Sequence, residues 1–138
     1  MLWLGFRRGL ACRASLVLVV VLAAGCSKEE MPKTYIVQGK VIRKDGQPYK
    51  GGAIMFRSLS NRELQAYAEI FEDGTFKLHT LGHTKQGHAR KLEGTIEGEF
   101  QVSIEPPGGR PAWLKKTYHI EAKQKNDITV VADDFVPQ

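Results

Sequence analysis

The stretch EFQVSIE, Glu99–Glu105, alternates polar and apolar side chains at every position. In an extended strand, Phe100, Val102 and Ile104 would line one face, and the polar residues between them would line the other. The run Pro-Pro-Gly-Gly at 106–109 follows at once and ends the strand. The pattern therefore predicts a strand with one buried and one solvated face.

The same two-residue period returns in segments on both sides of this strand, and turn signals separate them. Asp45-Gly46 and Asp73-Gly74 are such signals, and the second predicts a two-residue hairpin between its flanking strands. No segment has a convincing helical period. The sequence predicts an all-β, seven-stranded sandwich of Greek-key type over residues 35–138. Besides Glu99–Glu105, its predicted strands are Tyr35–Ile42, Ala53–Ser58, Tyr67–Glu72, Thr75–His79, Thr117–Ala122 and Ile128–Ala132.

Three longer motifs follow one another: VQGKVIRKDGQPYKGGAIMF at 37–56, EDGTFKLHT at 72–80 and GTIEGEFQVSIEPP at 94–107. Their order resembles that of the carboxypeptidase regulatory-like (transthyretin-like) domain, over roughly residues 35–132. The resemblance implies a domain that accompanies enzymes in larger proteins without being one. Phe100 stands where many relatives have Tyr, so no corner hydrogen bond is expected from that side chain. The segment Leu81–Gly94 has no clear counterpart.

The first 25 residues have the parts of a secretory signal peptide. Three arginines lie within Met1–Arg13, an apolar run covers Ala14–Ala24, and small residues precede Cys26. The run of about 11 residues is short of the ~20 that a membrane-spanning helix needs. Residues 1–25 are therefore predicted to be removed rather than to remain as a membrane span.

The end of this segment, Leu22-Ala23-Ala24-Gly25-Cys26, resembles the lipobox of bacterial lipoproteins, although Ala23 occupies the position where Leu is commonest. The resemblance implies that Cys26 becomes the first residue and carries fatty acyl chains such as palmitate. Stable anchoring takes two or more lipid signals. Residues 26–34 are predicted to be the lipidated N-terminus and a flexible tether, which places the domain in the cell envelope, outside the cytoplasm.

The charge balance excludes one class of partner. The whole chain has a formal net charge of +5 and a pI near 9.3. Without residues 1–25, which contain Arg7, Arg8 and Arg13, 17 basic and 15 acidic side chains remain, a net charge of +2. No nucleic-acid partner is predicted, because such binding needs a basic patch or stripe.

Two groups of side chains are candidates for ligand contact. Arg110–Lys116 is predicted to be a loop. In one interpretation Trp113 stacks on a sugar ring or lies at a membrane interface, and Lys115 and Lys116 meet phosphates; in the favoured interpretation Trp113 plugs the open end of the sandwich. His79, His83 and His88 are candidates for a zinc or copper site, although their spacing fits no standard finger and basic residues lie among them.

No serine lies in a nucleophile-elbow context, and no cofactor motif is present in the sequence, so neither an enzyme nor a cofactor is predicted. The predicted function is that of a non-enzymatic, lipid-anchored envelope protein that binds or scaffolds an envelope protein or a glycan. One alternative is a carbohydrate-binding module, which requires exposed Trp113 or Tyr67. A second is a metal-binding envelope protein, which requires that the three histidines converge.

Overall fold

The computed structural model describes residues 32–83, 87–133 and 135–136. Within these ranges the chain contains strands and no helix, which confirms the all-β prediction, but the strands number nine rather than seven. They form a three-stranded sheet of order β4-β1-β9 and a six-stranded sheet of order β6-β5-β3-β2-β7-β8. The strands are β1 (Ile36–Ile42), β2 (Ala53–Ser58), β3 (Gln65–Glu69), β4 (Thr75–Lys77), β5 (His79–His83), β6 (Ala89–Glu93), β7 (Gly98–Glu105), β8 (Ala112–Ile120) and β9 (Lys125–Val131).

The apolar faces of the two sheets share one core. Phe56 of β2 lies at its centre, with its ring centroid 6.1 Å from that of Phe76 on β4 and 6.1 Å from that of Phe100 on β7. Because β4 belongs to one sheet and β2 and β7 to the other, these rings join the two sheets directly. As the alternation of Glu99–Glu105 predicts, Phe100, Val102 and Ile104 are buried. Ser103, which lies on the face predicted to be solvated, is also buried, at 2% exposure.

The strand predicted at Thr75–His79 is wrong, because the chain changes sheets in its middle. The Leu78 N–H donates to the carbonyl oxygen of Val37 on β1 at 2.8 Å. The Leu78 carbonyl accepts from the Gly94 N–H, also at 2.8 Å, on the side of the six-stranded sheet. Leu78 thus lies between β4 and β5 and carries the chain from the first sheet to the second.

The turn at Asp73-Gly74 forms, but the predicted hairpin does not. Gly74 has a φ of +81°, a value that residues other than glycine rarely adopt. The Asp73 carboxylate accepts from the Thr75 hydroxyl at 2.6 Å and from the Thr75 N–H at 3.0 Å. The strand before the turn ends at Glu69 and pairs with β2 and β5, whereas β4 pairs with β1. The turn therefore joins two sheets rather than two neighbouring strands.

The last strands begin earlier than the sequence predicts. β8 starts at Ala112, within the predicted loop 110–116, and β9 starts at Lys125 rather than Ile128. β9 begins at Lys125 because that residue already pairs with Ile36 of β1. The buried side chain of Asn126 accepts from the Glu121 N–H at 2.9 Å and donates to the Glu121 carbonyl at 3.0 Å, which holds the turn between β8 and β9.

Tyr118 makes a hydrogen bond through its hydroxyl next to Phe100, which has no hydroxyl group. It lies opposite Phe100 in the β7–β8 ladder and is 7% exposed. Its hydroxyl accepts from the Val131 N–H at 3.4 Å, which links β8 to the edge strand of the other sheet. Burial raises the pKa of Tyr118 above its ordinary value, so the hydroxyl stays neutral at physiological pH.

Candidate binding surface

The outer face of the six-stranded sheet brings together side chains from distant parts of the chain. Ser103 lies opposite both Trp113 and Met55, Met55 lies opposite Tyr67, and Tyr67 lies opposite His79. These five residues form a continuous row across five strands, which we call the outer row. Since neighbouring residues of a strand point to opposite faces, the outer row is separated from the core by the thickness of the sheet.

Arg57 follows Met55 by two residues and so lies on the same face. Its guanidinium carbon lies 4.0 Å from the centre of the Trp113 ring, a stacked cation–π arrangement. Its Nη2 donates to the Gln101 side-chain oxygen at 3.0 Å. The three side chains are half-buried, and together they hold the guanidinium in one orientation.

The position of Trp113 corrects the prediction that it plugs the open end of the core. Its neighbour Leu114 enters the core with 2% exposure, so the alternation of β8 directs Trp113 to the opposite face. Arg57 then covers one side of the indole. Of the other two predicted contact residues, Lys115 is exposed, and Lys116 has its Nζ 5.2 Å from the ring centroid of Tyr118.

A small cavity adjoins the outer row. Its volume is about 190 Å³, and its lining includes Ala53, Met55, Tyr67, Ser103, Glu105 and Pro111. Small-molecule pockets commonly measure roughly 300–1,000 Å³, so this cavity fits part of a ligand, on the scale of one ring, rather than a whole one.

Two larger grooves lie at and beside the three-stranded sheet. One, of about 490 Å³, has a lining that includes Gln38, Phe71 and Asp127, and its neighbour, of about 310 Å³, shares Phe71 and Lys77 with it. Polar groups in these grooves already bind one another: Gln38 donates to Asp127 at 3.0 Å, and Lys77 donates to Glu93 at 3.2 Å. On the outer face, by contrast, Arg57 has none of the described carboxylates within ion-pair distance.

The predicted histidine site is placed only in part. His79 lies in the outer row, where burial and then the positive charge of Lys91 hold its pKa below the ordinary value. His83 ends β5 and His88 precedes β6, but the side chain of His83 is not among those described. Among the described side chains, no three His, Cys, Asp or Glu residues are grouped so that they could hold a metal ion.

The predicted lipid attachment residue, Cys26, lies outside the described residues, as do the predicted signal peptide and most of the tether. In the described ranges, no helix has the length and hydrophobicity to cross a membrane.

No protein-family model, no curated protein and no solved structure matches the chain.

Proposed function

We propose that this protein is a lipid-anchored binding module of the cell envelope and that it has no catalytic activity. The observation that carries the proposal is the outer face itself, where Trp113, Tyr67, Met55 and Arg57 lie half-buried on the side of the sheet away from the core. Aromatic residues and arginine are the side chains most enriched where proteins bind partners. The core does not need them there, since its apolar side chains come from the opposite face.

The scaffold we propose for this surface is a β-sandwich of the carboxypeptidase regulatory-like type, with Greek-key connections. The order of the motifs between residues 35 and 132 supports it, as does the shared core of the two sheets. In the proposed scheme, the hairpin of β5 and β6 is an addition at the edge of the six-stranded sheet, in the segment that has no counterpart in the family pattern.

The proposed anchor is Cys26, acylated after removal of residues 1–25. The motif Leu22–Cys26 supports this step. An extended chain spans at most about 3.3–3.6 Å per residue, so the residues between Cys26 and Pro32 reach about 20 Å. The proposed anchor would therefore hold the domain close to the membrane surface.

The anchor is tested by labelling bacteria that express the full chain with an alkyne analogue of palmitate. We expect Cys26→Ala to abolish incorporation, because the acylated sulfur is then absent. Cys12→Ala is the matched control: it removes the other cysteine of the chain and should leave labelling unchanged. Labelling that persists in Cys26→Ala, or that is lost in Cys12→Ala, would contradict the proposed anchor.

The binding surface is tested by placing a photo-crosslinking benzophenone amino acid at position 67, within the outer row, in intact cells. We expect irradiation to give a discrete adduct, because the partner lies against this face. Gln124, which is exposed on the turn between β8 and β9, provides the control position and should give none. The absence of an adduct at 67, or equal adducts at both positions, would contradict the proposed function.

A further inference from the structure

Arg57 is the one feature of the outer face that a purely structural role does not explain. Its guanidinium has five N–H donors, and the structure shows one of them used by Gln101. Among the described residues, no carboxylate lies within salt-bridge distance of it. A half-buried charge loses part of its hydration, and buried charges are normally paired with an opposite charge. A negatively charged group bound here would therefore supply the pairing that the described carboxylates do not give Arg57.

Other cations of the described chain show the contrast. Arg43, Lys77, Lys123 and Lys125 each lie within 4.0 Å of a carboxylate, although all four are more exposed than Arg57. Such exposed pairs contribute little to stability. Arg57 is less exposed than these four cations, yet none of the described carboxylates lies within 4.0 Å of it.

The orientation of Arg57 suits a carboxylate. Stacking on Trp113 and the hydrogen bond to Gln101 fix the plane of the guanidinium before any ligand arrives. A planar guanidinium binds a carboxylate through two parallel hydrogen bonds, and a fixed plane lowers the entropy that binding costs.

The adjoining cavity indicates what carries the carboxylate. Met55 lies two residues from Arg57 along β2, about 7 Å away, and forms a wall of the cavity together with Tyr67 and Pro111. These side chains offer apolar surfaces for the face of a sugar ring, and the exposed carboxylate of Glu105 can accept hydrogen bonds from hydroxyl groups. Glu105 lies opposite Ala53, two residues beyond Met55 on the side away from Arg57. A pyranose ring that packs on Met55 with its carboxylate directed along β2 toward Arg57 fits this arrangement.

A peptide fits the same place less well. Extended peptides commonly bind by adding a strand to a free sheet edge. Arg57 and Met55 lie on β2, whose two edges are already bonded to β3 and β7. Recognition here must come from side chains alone, which favours a ring-shaped, hydroxylated ligand over a polypeptide backbone.

We infer that Arg57, held by Trp113 and Gln101, binds the carboxylate of an acidic sugar whose ring occupies the neighbouring cavity. This inference rests on the proposed function and names the class of ligand. The outer face would thus bind an anionic glycan: Arg57 would bind the carboxylate, and Met55 and Tyr67 would contact the ring.

The test is calorimetric titration of the full chain, purified in detergent, with a trisaccharide of galacturonic acid; the neutral galactose trisaccharide is the matched ligand. We expect binding of the acidic sugar only. Arg57→Gln should weaken it by about 10- to 100-fold, the range expected for hydrogen bonds to a charged group. Arg43→Gln, which removes an exposed arginine beyond β1, should leave it unchanged.

Gln101→Glu keeps the inference testable if Arg57→Gln fails to fold. This nearly isosteric change puts a carboxylate at the Gln101 oxygen, 3.0 Å from the guanidinium, where it would pair with Arg57 and compete with the ligand. We expect at least about tenfold weaker binding with folding intact. Triglutamate, an acidic peptide, is titrated as a further comparison. Equal binding of the neutral sugar, tighter binding of triglutamate than of the acidic sugar, or unchanged affinity in Gln101→Glu would overturn the inference. If position 67 gives an adduct in cells but galacturonate does not bind, the sugar is overturned and the proposed function stands.

Discussion

The two faces of the six-stranded sheet consist of alternate residues of the same strands, yet their surroundings differ completely. On β2, Ile54 and Phe56 are at most 1% exposed, whereas their neighbours Met55 and Arg57 lie half-buried on the other side. The inner face is closed by the second sheet, and the outer face has no layer of the described chain over it. Stability is thus concentrated on one face, which leaves the side chains of the other available for recognition.

The largest expected effect separates the faces by two aromatic truncations. Phe56→Ala should lower the free energy of unfolding by about 3–5 kcal/mol, because it opens a cavity among Phe76, Phe100 and Tyr118. Trp113→Ala removes a ring of similar kind from the outer face and should lower it by only about 1–2 kcal/mol, chiefly through the lost Arg57 stacking.

Urea unfolding of both variants measures this difference through the transition midpoints at constant slope. Equal losses would mean that Trp113 belongs to the fold rather than to a surface, and would contradict the proposed difference between the two faces. A loss at Trp113 that disappears in the background of Arg57→Gln would assign the whole effect to this pair.

The inner face could be predicted from the sequence because a strand with one buried face leaves a local pattern. The alternation in Glu99–Glu105 identifies Phe100, Val102 and Ile104, and the structure buries all three. Gly39 keeps the same two-residue period with the buried Val37 and Val41. A Cβ at this position would meet the carbonyl of Ile128, its partner on β9.

The outer site could not be predicted in the same way. Arg57 and Trp113 meet because β2 and β8 flank β7, and their registers against β7 set the row in which each residue lies. No local pattern contains that register. The period of two does show that Arg57 points away from Ile54 and Phe56, but it does not show what stands beside it.

The hairpin of β5 and β6 escaped prediction for a different reason. β6 is an edge strand, and four of its five residues are exposed, so burial leaves no alternation to detect. Its charged residues, including Arg90 and Lys91, are typical both of a solvated loop and of an edge strand protected against aggregation. The change of sheet at Leu78 could not be predicted either. Buried and exposed residues keep alternating through it, so the sequence pattern looks like one continuous strand.

The smallest expected effect concerns pH, and it again belongs to the outer face. The pKa of His79 is held below its ordinary value by burial and by Lys91, so the unfolded chain takes up the proton first as the pH falls. Stability should therefore decrease between about pH 7.5 and about pH 5.5, within the range in which histidine titrates. On the inner face, Tyr118 has a raised pKa and stays neutral over this range.

His79→Gln should remove this part of the pH dependence, and urea unfolding at the two pH values measures it. Lys91→Gln is the matched variant: it keeps the histidine but removes one cause of the shift, so the pKa of His79, followed by NMR titration of its ring proton, should rise toward the ordinary value. An unchanged pH slope in His79→Gln would assign the acid sensitivity to another group. A steeper slope would mean that the protonated imidazole is stabilised in the fold, and the outer face would then favour positive charge at both Arg57 and His79.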